Sequence, residues 1–290
     1  MVDSTTTIRL PGGLWLDGAR HQEAGLRPLI GDDEAFLLET SESLLPAQRT
    51  TSLLARCLTH LGPLSPVATE TAASLTVGDR EALLLHLRRL MLGEHLQCVL
   101  SCPDPDCGEK LDLDLRVSDL LVLPYSHIRE RYETTITENG SNYGVRFRLP
   151  TGAHQEAAAA ALVRGDPQAA AHLLLRRCVE RVATEDGQPV EDPPPAVIER
   201  LPAIMAELDP QAELTLNATC PACGHAFSAL FDTATYFFQE LDGRTRQIYR
   251  EIHLLAFHYH WSEAEILGMS ARKRRMYLDL LTEALAEEGR

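Results

Sequence analysis

The stretch Cys102-Pro-Asp-Pro-Asp-Cys107-Gly108 and its later counterpart Cys220-Pro-Ala-Cys223-Gly224 decide the fold, because alternating apolar residues flank each of them. The first leaves through Leu111, Leu113 and Leu115; the second is entered through Leu214 and Leu216 and leaves toward Phe231. A strand that runs into Cys-Pro, turns and returns through Cys-Gly sets two thiols on one side of a tight turn. The glycine after the second cysteine tolerates the positive φ that points backbone amides at the sulfurs. Two such knuckles supply four sulfurs, so Cys102, Cys107, Cys220 and Cys223 are expected to hold one zinc ion in closed tetrahedral coordination. Four protein ligands leave no position for water or substrate, and the metal is therefore read as a staple with no catalytic role. The first pair is separated by four residues, and Pro103 and Pro105 fold that longer loop.

The remaining cysteines carry less chemistry. Cys57 and Cys178 fall in helical patterns and read as inert core thiols. Cys98 precedes the first knuckle by one strand length and reads as a core residue, with a substitute metal ligand as the alternative, while His225 is at most a group supporting the metal ligands. Seven cysteines is an odd number, and thiols at this spacing are metal ligands more often than disulfides. The entropic cost of closing residues 108–219 into a loop grows only as the logarithm of its length. A structural zinc contributes about 10–16 kcal/mol in small peptides and outweighs that cost.

Outward from the knuckles, the chain alternates hairpins and helices. Ile8–Trp15 and Ala24–Leu29 read as a short β unit, and Gly31-Asp32-Asp33-Glu34 opens a helix with acidic residues against its positive N-terminal dipole. Tyr132–Thr137, the turn Glu138-Asn139-Gly140-Ser141 and Tyr143–Leu149 read as a second hairpin, followed by a helix opening at Thr151-Gly152. The order of hairpin, glycine turn and acidic helix start thus occurs twice. Helices are predicted over Pro46–Leu61 and Thr76–Gly93. An alanine-rich pair spans 153–183 and breaks at Gly165-Asp166-Pro167; a linker over 187–195 leads to a helix ending near Leu208. Near the C-terminus Ser262 and Glu265 form a capping box, ending one helix near His260 and starting another. His253, His258 and His260 lack His-Glu-x-x-His spacing and read as part of a packed aromatic corner.

These elements give an α+β chain, mostly helical, with short β-hairpins and a four-cysteine zinc ribbon assembled from two distant knuckles. The units are 1–45, a β unit and helix start; 46–95, helical; 96–118 and 212–234, the ribbon halves; 119–211, a hairpin with helices; and 235–290, a helical unit.

At 290 residues with a net charge of −15, the chain can bury a sizeable core and repels nucleic acid phosphates and anionic lipid. Arg272, Lys273, Arg274 and Arg275 form the one basic run and are candidate protein-docking residues. No apolar run is long enough to span a bilayer, and the N-terminus lacks a leader pattern, so a cytoplasmic protein is expected. No phosphate loop, nucleophile elbow or dinucleotide fingerprint occurs, which predicts no enzyme and no small-molecule substrate.

Leu26–Glu34, Val145–Gly152, the two knuckles and Leu254-Leu-Ala-Phe-His-Tyr-His-Trp-Ser-Glu263 together resemble the baseplate and baseplate-hub assembly proteins of contractile-tailed phages and phage-tail-like contractile injection systems. The resemblance touches most of the chain. It implies a non-enzymatic structural protein or assembly chaperone in contact with other baseplate, hub, wedge, tube or sheath proteins. The competing reading is a cytoplasmic zinc-ribbon adaptor acting on nucleic acid or the transcription machinery; the net charge and knuckle loops free of Lys, Arg and aromatic residues oppose it.

Overall fold

The computed structural model describes residues 5–122, 125 and 127–288; the first four residues, read above for a leader pattern, lie outside this set. Thr6–Leu16 (β1) and Ala19–Leu26 (β2) form an antiparallel hairpin turned by Asp17 and Gly18 at φ 50° and 76°. A two-residue turn with both φ positive matches the natural twist of paired strands. Helices Gly31–Glu39 (α1) and Pro46–Cys57 (α2) follow, and Leu58–Leu61 (β3) returns to pair with β2. Helices Thr69–Ser74 (α3) and Val77–Leu92 (α4) lead into the hairpin His95–Ser101 (β4) and Lys110–Arg116 (β5), which ends in the single turn Val117–Leu120 (α5).

The same succession then runs again. Tyr132–Glu138 (β6) and Ser141–Phe147 (β7) are turned by Asn139 and Gly140 at φ 52° and 80°. Gly152–Val163 (α6), Pro167–Cys178 (α7), Val179–Thr184 (β8), Pro195–Glu199 (α8) and Leu201–Leu208 (α9) follow. The second knuckle hairpin is Leu214–Thr219 (β9) with Ala226–Phe231 (β10), and Thr233–Thr245 (α10) comes next. The three-stranded sheets have the matching orders β1-β2-β3 and β6-β7-β8. Hydrogen bonds recur at a constant offset of 121 positions (27 to 148, 57 to 178): Arg27 N donates to Cys57 O at 3.0 Å and Arg148 N to Cys178 O at 2.9 Å. The helix starts match likewise, with Ile30 N donating to Asp33 Oδ2 at 3.0 Å and Thr151 N to His154 Nδ1 at 3.2 Å. The chain is a duplicated unit of mixed α+β structure, to which Ile248–Tyr259 (α11), Glu263–Leu267 (α12) and Ala271–Glu288 (α13) are added.

Two expectations need correction. Pro46–Leu61 and 153–183 were expected to end as helices, yet Leu58–Leu61 and Val179–Thr184 are strands. Their apolar residues are three apart, Leu58 and Leu61 or Val179 and Val182, which is helical spacing. A β-bulge produces it instead. The β2–β3 register skips Thr59 and the β7–β8 register skips Glu180, so residues three apart face the same core. Of the two repeated helix starts only that of α1 is acidic, since the first turn of α6 carries no carboxylate. The capping box of Ser262 with Glu265 does form, and His260 ends α11 in the left-handed conformation at φ 58°. Behind it Tyr259 stacks on Trp261 at 4.7 Å and both meet Tyr277, while His253 lies outside this cluster, exposed and stacked on Phe257.

The halves interlock. The core of the first, with Leu10, Leu26, Leu37, Leu53 and Leu83, is completed by Phe237, Phe238 and Leu241 of α10, which follows the second knuckle. Burying side chains of this size stabilises by about 1.5–3 kcal/mol each. Arg88 of α4 fixes α10 through a bidentate pair with Glu240 at 3.0 and 3.1 Å. The second half has its own core of Tyr132, Val145, Phe147, Val197 and Leu201.

The same junction is built twice with a buried arginine. In one case Thr76 pairs with Thr151, Gly152 N donates to Leu75 O at 3.1 Å, and Arg80, 1% exposed, lies against Gly152 and donates to Thr51 Oγ1 at 2.9 Å. In the other Ile30 pairs with Ser270, Gly31 N donates to Met269 O at 2.9 Å, and Arg274, also 1% exposed, lies against Gly31. A Cβ on Gly152 would sit 2.2 Å from Arg80, so only glycine admits this packing. Arg274 pairs with Glu34 and donates to Glu251 Oε2 at 2.8 Å. Arg274→Ala leaves the buried Glu34 carboxylate unpaired and should lower unfolding free energy by about 3–5 kcal/mol in denaturant melts. Arg274→Met with Glu34→Leu should recover much of that loss.

One buried carboxyl links β1 to α4. Asp79 accepts Gly12 N at 2.7 Å and Gly13 N at 2.8 Å, and nearby Asp209 accepts Gly78 N at 3.0 Å and Tyr125 OH at 2.6 Å. Burial, and secondarily the charge of Asp209, push Asp79 up to about 7 against the lowering effect of the two amides. A carboxyl raised on folding binds its proton more tightly in the native state. Its contribution to stability is therefore fullest below pH 4 and lost as pH rises to about 7. Relative to Asp79→Asn, the native chain should lose stability over that window at up to about 1.4 kcal/mol per pH unit in denaturant melts. Equal slopes would show that Asp79 does not titrate there.

Candidate metal centre

The knuckle hairpins are too short to be stable alone, and each offers its tip to the other. At the first tip Cys102 N donates to Glu109 O at 2.8 Å, and Cys107 N and Gly108 N both donate to Asp104 O, at 3.0 and 3.1 Å. This arrangement closes the longer four-residue loop. At the second, Cys220 N donates to His225 O and Gly224 N to Cys220 O, both at 2.9 Å. Gly108 and Gly224 have φ of 61° and 76°, and a Cβ on either would meet nothing within 4 Å. The glycines serve the backbone conformation, as the Cys-Gly pattern indicates, and not close packing.

The four cysteines expected as ligands come together. All four sulfurs lie within 4.8 Å of one another, with Cys102 Sγ to Cys223 Sγ and Cys107 Sγ to Cys220 Sγ each 3.7 Å. Both close pairs cross between the halves. A tetrahedral ion with sulfurs at about 2.3 Å requires S···S separations of about 3.8 Å. Disulfides require about 2.05 Å, and none is formed. The donor set and spacing therefore fit a tetrathiolate metal site. Cys102 and Cys220 are buried, Cys107 is half-buried and Cys223 is exposed, with Leu111, Ala218 and Phe227 packed beneath.

The electrostatics favour anionic sulfur at one corner. The backbone amide of Cys223, together with that of Ala222, holds the Cys220 thiol down at about 7 against burial. Burial and the neighbouring thiols push Cys102 up to about 12. A divalent cation among the four reverses this preference by favouring every thiolate.

Neither Cys98 nor His225 belongs to the group. Cys98 pairs with Leu113 across β4 and β5, and the His225 ring stacks on Phe227 with centroids 6.3 Å apart. Cys57 and Cys178 are fully buried far from the knuckles in sequence, with thiols raised by burial, Cys178 to about 12. Of the basic run, Arg272, Lys273 and Arg275 are exposed on α13, whereas Arg274 is enclosed by Glu34 and Glu251 and is not available to a partner. The burial of Arg274 was missed because four adjacent cations read as one solvated face. The signal lay in the matching Thr76–Arg80 and Ser270–Arg274 intervals.

The fold and these residues define a duplicated helical and hairpin scaffold whose two halves meet in a four-thiol cluster. The family described as T4 bacteriophage base plate protein matches residues 15–239, well over half of the chain. The chain belongs to that family of phage baseplate proteins, in agreement with the resemblance read from the sequence. Comparison with curated proteins and with solved structures gave no match.

Proposed function

We propose that this chain is a non-enzymatic structural or assembly protein of the baseplate of a contractile phage tail or phage-tail-like contractile injection system. It acts through contacts with neighbouring hub, wedge, tube or sheath proteins, and one zinc ion bound by Cys102, Cys107, Cys220 and Cys223 locks its two halves together. The observation that carries the zinc assignment is the pair of 3.7 Å sulfur separations between the halves. The family match over residues 15–239 supports the baseplate role. A metal in this position is structural, because the four thiolates close its coordination and leave no position for water or substrate.

Elemental analysis of the purified chain should give one zinc per chain. Removal by a strong chelator should lower the unfolding temperature by about 8 °C or more, since a loss of even 5 kcal/mol shifts a chain of this size that far. Cys107→Ser and Cys223→Ser should reproduce the shift. A metal-free chain, or melting unaffected by either variant, would remove the staple.

The exposed Arg272, Lys273 and Arg275 of α13 form the docking surface in this reading, with Arg274 anchoring the helix from within. Reversal of the three exposed residues to Glu should reduce incorporation into particles while leaving the melting temperature unchanged. Normal particle assembly by this triple variant would move the docking surface elsewhere.

A further inference from the structure

The charges of α13 are placed against its own dipole. A helix carries partial positive charge at its N-terminus and partial negative charge at its C-terminus, so acidic residues stabilise the first turn and basic residues the last. α1 follows this rule, with Asp32, Asp33 and Glu34 in its first turn. α13 reverses it. Arg272, Lys273 and Arg275 open the helix and Asp279, Glu283 and Glu287 follow, with no acidic residue in the first turn and no basic one in the last. Among the described residues none of these six side chains has an ion-pair or hydrogen-bond partner within the chain. The buried Arg274 is separate, since Glu34 and Glu251 hold it.

The helix also carries apolar residues on two sides. Towards the body, Tyr277 meets Tyr259 and Trp261, and Leu278 packs with Ile252, Leu255 and Ile266. On the other side Met276 and Leu280 are 58% and 54% exposed. Arg272, Met276, Leu280, Glu283 and Glu287 succeed one another at intervals of three or four, which puts them along one exposed face. From start to end that face is basic, then apolar, then acidic.

A face with this order is complementary to itself when turned end for end. We infer that α13 pairs with α13 of a second copy of this chain, antiparallel, about a two-fold axis passing between Met276 and Leu280. Met276 of each copy then lies opposite Leu280 of the other, Arg272 comes near Glu283, and Arg275 near Asp279. The basic start of each helix meets the acidic end of its mate, so the charges that oppose the dipole within one chain are compensated by the other. A parallel pair would set like charges side by side. The net charge of −15 repels two copies at long range. At physiological salt that repulsion is screened beyond about 8 Å, while charges in contact across the helices are screened far less.

The pairing rests on the docking role proposed above for Arg272, Lys273 and Arg275 and supplies its partner. It is read as mass in solution, and so can fail while particle incorporation still depends on these residues.

Light scattering on the full chain in about 0.15 M salt tests the pairing. At roughly 100 µM the native chain should show twice its monomer mass of 32.1 kDa. Arg272→Glu, Lys273→Glu and Arg275→Glu together make the exposed charges of α13 all acidic and should give a monomer. Asp279→Lys, Glu283→Lys and Glu287→Lys together make them all basic and should do the same. Each triple variant should unfold, at low concentration, at no lower temperature than the native chain. Mixed one to one, the two variants should form a heterodimer, and all six reversals in one chain should restore the homodimer. A native chain that stays monomeric, a triple variant that still dimerises alone, or a mixture and a sixfold variant that both stay monomeric would each overturn the inference.

Discussion

The constraint on which the rest of this structure depends is that two hairpins of two strands each cannot hold themselves together. A lone hairpin buries little apolar surface and is marginal in water. Here the tips of β4–β5 and β9–β10 converge until four sulfurs lie within 4.8 Å, with the closest pairs crossing from one half to the other. Everything between the knuckles is thereby pinned at both ends. The hydrophobic patch of Leu85, Leu96, Val117, Leu214 and Phe231 backs the same junction, so packing and thiol convergence act at one place. In the proposed role, a baseplate component keeps its shape under load through this clasp and through the crossing of α10 into the opposite core.

Duplication accounts for features that look unrelated in isolation. The hairpin turns Asp17-Gly18 and Asn139-Gly140, the bulges at Thr59 and Glu180, and the arginines Arg80 and Arg274 against Gly152 and Gly31 are paired solutions to the same packing problem. The second member of the arginine pair comes from the C-terminal extension. α12 and α13 dock on α1 much as α3 and α4 dock on α6. Breaking such a buried charge costs more than forming it contributes, which favours these arginines as determinants of register.

Much of this was legible in the sequence, for definite reasons. Cysteine, proline and glycine at fixed spacing dictate a knuckle whatever surrounds it, and Ser262 with Glu265 dictates a helix start. The hairpin and helix start over residues 8–40 and 132–156 were visible as a repeat, but its extent was not. The third strands were hidden because the bulge at Thr59 and Glu180 gives Leu58 and Leu61, and Val179 and Val182, the spacing of a helix. Arg274 was read as surface because its partners, Glu34 and Glu251, lie 240 and 23 residues away. Tertiary pairing of that kind leaves no local pattern. The same holds for Asp79, whose two amide donors are Gly12 and Gly13 at the register shift within β1.

The central claim is a metal shared between the two halves, and X-ray absorption at the zinc edge of the purified full-length chain addresses it most directly. The expected spectrum has a single shell of four sulfur atoms at about 2.3 Å. A shell containing nitrogen or oxygen, fewer than four sulfurs, or no zinc at all would contradict a tetrathiolate clasp built from Cys102, Cys107, Cys220 and Cys223.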